Sequence, residues 1–289
     1  PDYGTSFMFQ DFQNPVLGKA YGFYGHFNFY FLKRRMMLRV GQGVVISSNP
    51  YDKNSNPKNI AFGSKLLASP YLMLNYKKSN LIGPLGIQSG LLLFHASNGN
   101  IKAPNTSVNT IAFNIGLNYD LASKEIIPEY LPEEVFISEG LKINLVFRSG
   151  LNQISVVGGS QFPFYTFSVY ADKRFNFFSA FQFGFEASFS QALKEEIYYQ
   201  SVAFPETPSG SNADYRRIGT FLGYELFINN LSAFAQLGYY IYYPYDFEGR
   251  LYNRIGLKYY FGGQWYGAFS VKSHSATAEA IEFGIGIRF

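Results

Sequence analysis

The chain has 289 residues, with 24 Lys and Arg against 20 Asp and Glu, three His and no Cys. The lack of Cys excludes a disulfide framework and thiolate chemistry, and three His suit no His-rich metal centre, so no cofactor is expected. Only 15% of residues are charged while 19% are aromatic, and the net charge of +4 is not gathered into one block, which argues against nucleic acid as a partner.

No run of about 18 apolar residues occurs, so no transmembrane helix is expected. No signal peptide is visible. The chain opens at Pro1-Asp2-Tyr3 and reads as a processed product, with room for a further strand upstream of Pro1. The dominant signal is alternation. It predicts about fourteen strands, near 3–11, 20–32, 36–48, 64–78, 85–97, 107–121, 141–154, 163–175, 178–192, 214–229, 231–245, 250–261, 264–274 and 278–289. The last shows it best: Ile281, Phe283, Ile285, Ile287 and Phe289 share one parity, and Ala280, Glu282, Gly284, Gly286 and Arg288 the other. Long segments with Tyr and Phe at their ends, and a final Phe289 inside a strand, suit a wall that crosses a bilayer. The expected fold is all-β: a single transmembrane antiparallel β-barrel of about 14 strands over residues 1–289, placed in a bacterial outer membrane. A soluble β-sandwich is the alternative.

Link lengths orient this barrel. Short links at Lys33-Arg34-Arg35, Asn176-Phe177, Asn229-Asn230 and Gly262-Gly263 follow even-numbered strands. Long links at 49–63, 98–106 and 194–212 follow odd-numbered strands, and outer-membrane barrels turn such long loops outward. The link 122–140 breaks the rule. It is long, carries Glu125, Glu129, Glu133, Glu134 and Glu139 with Pro128 and Pro132, and falls on the expected periplasmic side. It reads as a solvated loop with a short helix, or as a docking element for an envelope protein. The loop 194–212 reads as an exposed lid or partner surface. Lys53, Lys58 and Lys102 near the outer rim are either plain solvated charge or contacts for lipopolysaccharide phosphates.

The chemistry concentrates in Phe94-His95-Ala96-Ser97-Asn98-Gly99-Asn100, answered by Pro104-Asn105 and Asn109. His95 and Ser97 share parity with Leu91 and Leu93, and Asn109 with Ile111, Phe113 and Ile115, so all three are expected to face lipid at the outer rim. A Ser hydroxyl needs an adjacent base to act as a nucleophile, and the i, i+2 spacing puts both Cα atoms about 6–7 Å apart on one strand face. Asn98, Gly99 and Asn105 could donate to an oxyanion. By spacing alone the same pattern also describes a polar strand end. His274-Ser275 near Glu279 and Glu282 reads as an exterior turn, and His26 among Tyr24, Asn28 and Tyr30 as lumen or girdle packing.

The motif from His95 to Asn100, with Pro104-Asn105 and Asn109, resembles the outer-membrane lipid A 3-O-deacylases, also called acyloxyacyl hydrolases, in the longer form found in Bacteroidetes-type bacteria. Pro50-Tyr51-Asp52, Asn56-Pro57, Asn59 and Gly63-Ser64 resemble the region upstream of the motif. The resemblance covers about residues 1–121; residues 141–289 match only as barrel wall, and family folds are typically smaller, about eight strands. It implies a Ser-His-acid triad that removes an acyl chain from lipid A in the outer leaflet. Ser97 is then the nucleophile and His95 the base, with Asn98, Gly99 and Asn105 around the oxyanion. Where better-known members carry Glu, this chain has Asn109. A neutral amide can orient a His but does not stabilise imidazolium as a carboxylate does.

Two other functions are compatible with the sequence. One is a non-catalytic barrel that anchors or joins an outer-membrane protein complex through 122–140 or its outer loops. The other is a small-solute channel, its lumen lined by inward Gly and Tyr, although no selectivity ring stands out.

Overall fold

The computed structural model describes residues 2–121, 139–154, 156–205, 213–275 and 277–289. All fourteen expected strands are present, with boundaries displaced by a few residues. They are β1 (Asp2–Asp11), β2 (Lys19–Phe31), β3 (Met36–Ser47), β4 (Leu66–Ile82), β5 (Leu85–Ala96), β6 (Val108–Tyr119) and β7 (Lys142–Gln153), then β8 (Gln161–Arg174), β9 (Ser179–Ser190), β10 (Arg216–Ile228), β11 (Leu231–Tyr242), β12 (Leu251–Phe261), β13 (Trp265–His274) and β14 (Thr277–Arg288). One helix, α1 (Gln191–Ala203), lies between β9 and β10.

All pairings between these strands are antiparallel, but they do not form one wall of fourteen. Strands β1–β6 make a six-stranded sheet in chain order, while β7–β14 close on themselves as an eight-stranded barrel. The closure is the β14–β7 ladder, from Phe283↔Ser149 to Arg288↔Asn144. The chain divides accordingly into two units: β1–β6, and β7–β14 with α1 and the short segment Gly99–Ala103. Most of the acidic link expected to dock a partner, 122–138, lies outside the described residues. Glu139 at its end is held by Arg288, at 2.8 and 2.9 Å, and by Arg174 at 3.5 Å.

The closed barrel is inverted relative to a soluble protein. Phe167, Val169, Phe183, Phe185, Leu237, Ile255 and Phe283 are exposed, as a lipid-facing wall requires. Inside, Arg148, Arg254, Lys258, Lys272, Glu186, Glu225 and Glu282 are almost completely buried. All but Arg148, whose Nη1 donates to Ser168 Oγ at 2.8 Å, are paired with opposite charge. Arg254 bridges Glu186 and Glu282 at 2.6 Å each, Lys258 meets Glu225 at 2.5 Å, and Lys272 meets Glu186 at 3.3 Å. Side chains paired across the interior fill it, which runs against the channel reading for this unit.

The inward glycines provide room for tyrosine rings rather than for solute. Gly238 pairs directly with Tyr252, Gly286 with Tyr266, and Gly184 with Tyr170. A Cβ on Gly238 would sit 2.1 Å from Tyr252 Cζ. Replacing Gly238 with Val is therefore expected to destabilise the barrel by about 1–3 kcal/mol through overpacking. The check is a lower urea midpoint for the folded, fast-migrating band in unheated gel electrophoresis.

Helix α1 occupies much of the link read as the exposed loop 194–212. Ser190 caps it by accepting from Leu193 N–H at 3.2 Å. Ala192, Leu193, Glu196 and Ile197 are buried, with Leu193 and Ile197 against Tyr245. A short apolar stripe interrupted by Glu196, following a strand without a break, gave the helix no separate signature. Residues 206–212 of that link lie outside the described residues.

In the first unit the sheet curls enough that Gln10 of β1 donates to Thr110 Oγ1 of β6 at 3.0 Å. Its inward face carries Tyr24 edge-on to Tyr71 at 5.0 Å, and Tyr24 Oη donates to Ser69 Oγ at 3.0 Å. His26 is part of this inward packing, with Nδ1 2.7 Å from Ser6 Oγ.

Candidate active site

The end of β5 and the start of β6 are paired so that His95 stands directly opposite Asn109. Both lie on the face of exposed Leu91, Leu93, Ile111 and Phe113, because side chains alternate and the register has no bulge here. His95 Nδ1 is 2.7 Å from Asn109 Oδ1. An amide oxygen only accepts, so Nδ1 carries a hydrogen, and in the neutral ring the lone pair is on Nε2.

Ser97 does not share the lipid-facing position expected for it: it follows the end of β5, outside the strand alternation, and is only 3% exposed. Its backbone is locked to Ala68, with Ala68 N–H donating to Ser97 O at 2.7 Å and Ser97 N–H to Ala68 O at 3.1 Å. Its Oγ donates to Asn105 Oδ1 at 3.1 Å and accepts from Asn105 Nδ2 at 3.0 Å. Asn98 N–H also donates to Asn105 Oδ1, at 3.0 Å. Asn105 thus clamps the hydroxyl and the next amide with one side chain. Gly99 has φ +64°. A Cβ there would also lie 2.3 Å from Ile281 Cγ1, so only glycine fits this turn.

The sequence reading did not isolate the groups that cover this hairpin. Asn59, fully buried, donates to Asn49 O at 2.7 Å and accepts from Ala61 and Phe62 N–H at 3.0 Å. That holds the loop 49–63 in place. Thr106 N–H then donates to Ile60 O at 3.1 Å and Ser107 N–H to Ala61 O at 3.3 Å, tying the loop to the segment before β6. The signal was the cluster of Asn56 and Asn59, residues whose amides substitute for absent backbone partners. Lys53, Lys58 and Lys102 are exposed.

His274 corrects an expectation. It is 5% exposed, not part of an exterior turn, and its Nε2 lies 2.9 Å from Glu279 Oε2. Its parity places it inward in β13, where the barrel supplies buried carboxylates.

A wall of apolar-out, polar-in antiparallel strands defines a membrane β-barrel protein, and in its first unit the end of β5 sets His95 against Asn109, with Ser97 two residues on held by Asn105. The family model described as "Lipid A 3-O-deacylase (PagL)" matches residues 1–118, and "Acyloxyacyl hydrolase, C-terminal domain" matches residues 141–289. The chain therefore belongs to the lipid A 3-O-deacylase (acyloxyacyl hydrolase) family, which acts on lipopolysaccharide, and it is an outer-membrane protein. No curated protein matches it. Solved structures similar to it include "KdgM porin in complex with disordered oligogalacturonate", at 8% identity and TM-score 0.23 over 99% of this chain and 96% of that one. "CdiB from Acinetobacter baumannii" is similar at 9% identity and TM-score 0.23, over 96% of this chain and 52% of that one. At such scores these likenesses carry no argument, and the fold rests on the strand pairing itself.

Proposed function

We propose that Ser97 and His95 hydrolyse an acyl ester of lipid A at the outer-leaflet rim of the first unit. The observation that supports this most is the 2.7 Å contact between His95 Nδ1 and Asn109 Oδ1, which in the neutral ring leaves Nε2 as the nitrogen that can accept a proton. In this reading Nε2 takes the Ser97 hydroxyl proton as Oγ attacks the ester carbonyl, and the C–O bond to the sugar breaks as His95 returns the proton to the departing hydroxyl. Water, activated by the same imidazole, then releases the fatty acid from Ser97.

The oxyanion would be met by the amides of Asn98 and Gly99 and by Asn105 Nδ2. At rest, Asn105 occupies both Ser97 Oγ and Asn98 N–H, so substrate must displace part of that clamp. Leu91, Leu93, Ile111 and Phe113 on the same face offer the acyl chain an apolar track. Loop parity supports an outer-leaflet position for this end of the strands, where lipid A resides.

Asn109 supports the orientation of His95 but not its charge. Asn109→Glu is expected to raise kcat on the order of tenfold, the equivalent of about 1.4 kcal/mol of added imidazolium stabilisation, with KM little changed. Asn109→Leu, which removes the acceptor, is expected to lower it. Fatty-acid release from lipopolysaccharide micelles measures both, and equal rates in all three proteins would remove Asn109 from the proposed site. The same neutral amide is what favours the second reading, a barrel that has kept the fold and serves as a non-catalytic subunit of an envelope complex.

A further inference from the structure

We infer that the second unit carries a site for one divalent transition metal of the zinc type, made by His274, Glu279 and Glu248. It uses none of the residues proposed for deacylation. His274 ends β13, Glu279 lies near the start of β14, and Glu248 comes from the link between β11 and β12. One ligand atom from each lies within 4.8 Å of the others. His274 Nε2 is 2.9 Å from Glu279 Oε2 and 3.4 Å from Glu248 Oε2. Zinc bonds of about 2.0–2.1 Å in a tetrahedron space their ligand atoms about 3.3–3.4 Å apart, so small adjustments would seat the ion.

The tautomer of His274 points the same way. Nδ1 is 3.1 Å from Leu251 O, and a carbonyl only accepts, so Nδ1 carries a hydrogen. Nε2 then faces two carboxylates, and either a metal ion or a second ring proton can sit between them. A His anchored through Nδ1–H to a backbone carbonyl is also how metal-binding imidazoles are oriented.

A second observation is independent of the triad. A small cavity of about 20 Å³ is lined in part by Glu248, Glu279, Glu196 and Asn152. Among the described residues, Glu196 Oε2 and Asn152 Oδ1 have no hydrogen-bond partner, in side chains only 4% and 5% exposed that line the same cavity as Glu248 and Glu279. An imidazole with carboxylate oxygens selects zinc, cobalt or manganese over calcium.

Two cations face the same carboxylates. Arg217 Nη1 lies 3.1 Å from Glu248 Oε2 and 3.5 Å from Glu279 Oε1, and Lys272 Nζ lies 3.6 Å from Glu279 Oε2. They weaken metal binding relative to a bare His-Glu-Glu set. The two carboxylates make a second proton on His274 the competing occupant.

The test strips the purified, folded protein with chelator, equilibrates it with Zn²⁺ or Co²⁺, and reads metal content by mass spectrometry and the cobalt visible spectrum. One ion per chain is expected, with a Kd at least tenfold weaker in His274→Ala and in Glu248→Gln, and unchanged in His26→Ala. Glu248→Gln lies outside the strands and guards against a His274 variant that fails to fold. No stoichiometric binding by the wild-type protein, or equal binding by the Glu248 and His274 variants, would overturn the site and leave His274 as a doubly protonated member of the ion network.

Discussion

Arg254→Ala is expected to destabilise the closed barrel by about 3–5 kcal/mol, the largest stability effect of any single substitution considered. The guanidinium makes five bonds with none of its surface exposed. Nε and Nη2 reach Glu282 at 2.6 and 3.1 Å, Nη1 and Nη2 reach Glu186 at 2.6 and 3.2 Å, and Nη1 reaches Gln236 at 3.1 Å. Truncation strands two buried carboxylates. Glu186 would retain Lys272 at 3.3 Å, and Glu282 would retain the Ser270 hydroxyl at 2.8 Å. Removing one member of a buried network costs more than replacing all of it with apolar groups. Arg254→Met combined with Glu186→Gln and Glu282→Gln should therefore recover much of the loss. Urea titration of the heat-modifiable gel band, or of tyrosine fluorescence in detergent, reads the difference. An Arg254→Ala midpoint equal to wild type would mean that the interior ions are solvated, not mutually neutralised.

Ser97→Ala is expected to lower lipid A deacylation by at least about 10³-fold while leaving the fold intact. The backbone bridge to Ala68 survives the change, and the Asn105 clamp keeps its bond to Asn98 N–H. His95→Ala should cost a similar factor, and the double variant little more than either single one, because nucleophile and base act as a unit. Additive losses would indicate that the two residues position lipid independently. Released fatty acid, measured against the folded fraction on an unheated gel, separates these outcomes.

Much of the fold was legible because a β-barrel wall repeats one local rule. Ile281 to Phe289 alternate, and so does every other strand, so strand number and inward parity needed no tertiary information. Closure did require it. Alternation is identical in a wall of six, eight or fourteen strands, and only the β14–β7 ladder distinguishes them. The inward parity of Arg254, Lys258 and Glu282 could be read, but their pairing joins strands far apart in the chain. The exterior reading of His274 failed for the same reason: its partner Glu279 follows a tight turn, and its burial is set by the whole barrel.

The candidate site was partly legible. A single hairpin register sets His95 against Asn109, so their contact follows from loop length and parity. The grip of Asn105 on Ser97 depends on how the loop 97–107 folds back, which spacing does not specify. The cover from loop 49–63 is likewise a product of Asn59 satisfying backbone groups that no strand pairs.

The most direct measurement is the mass of lipid A after lipopolysaccharide is incubated with the purified, folded protein, beside Ser97→Ala. The account predicts the loss of one ester-linked acyl chain with the wild-type protein and an unchanged mass with the variant. Unchanged lipid A in both, or equal loss in both, would contradict it.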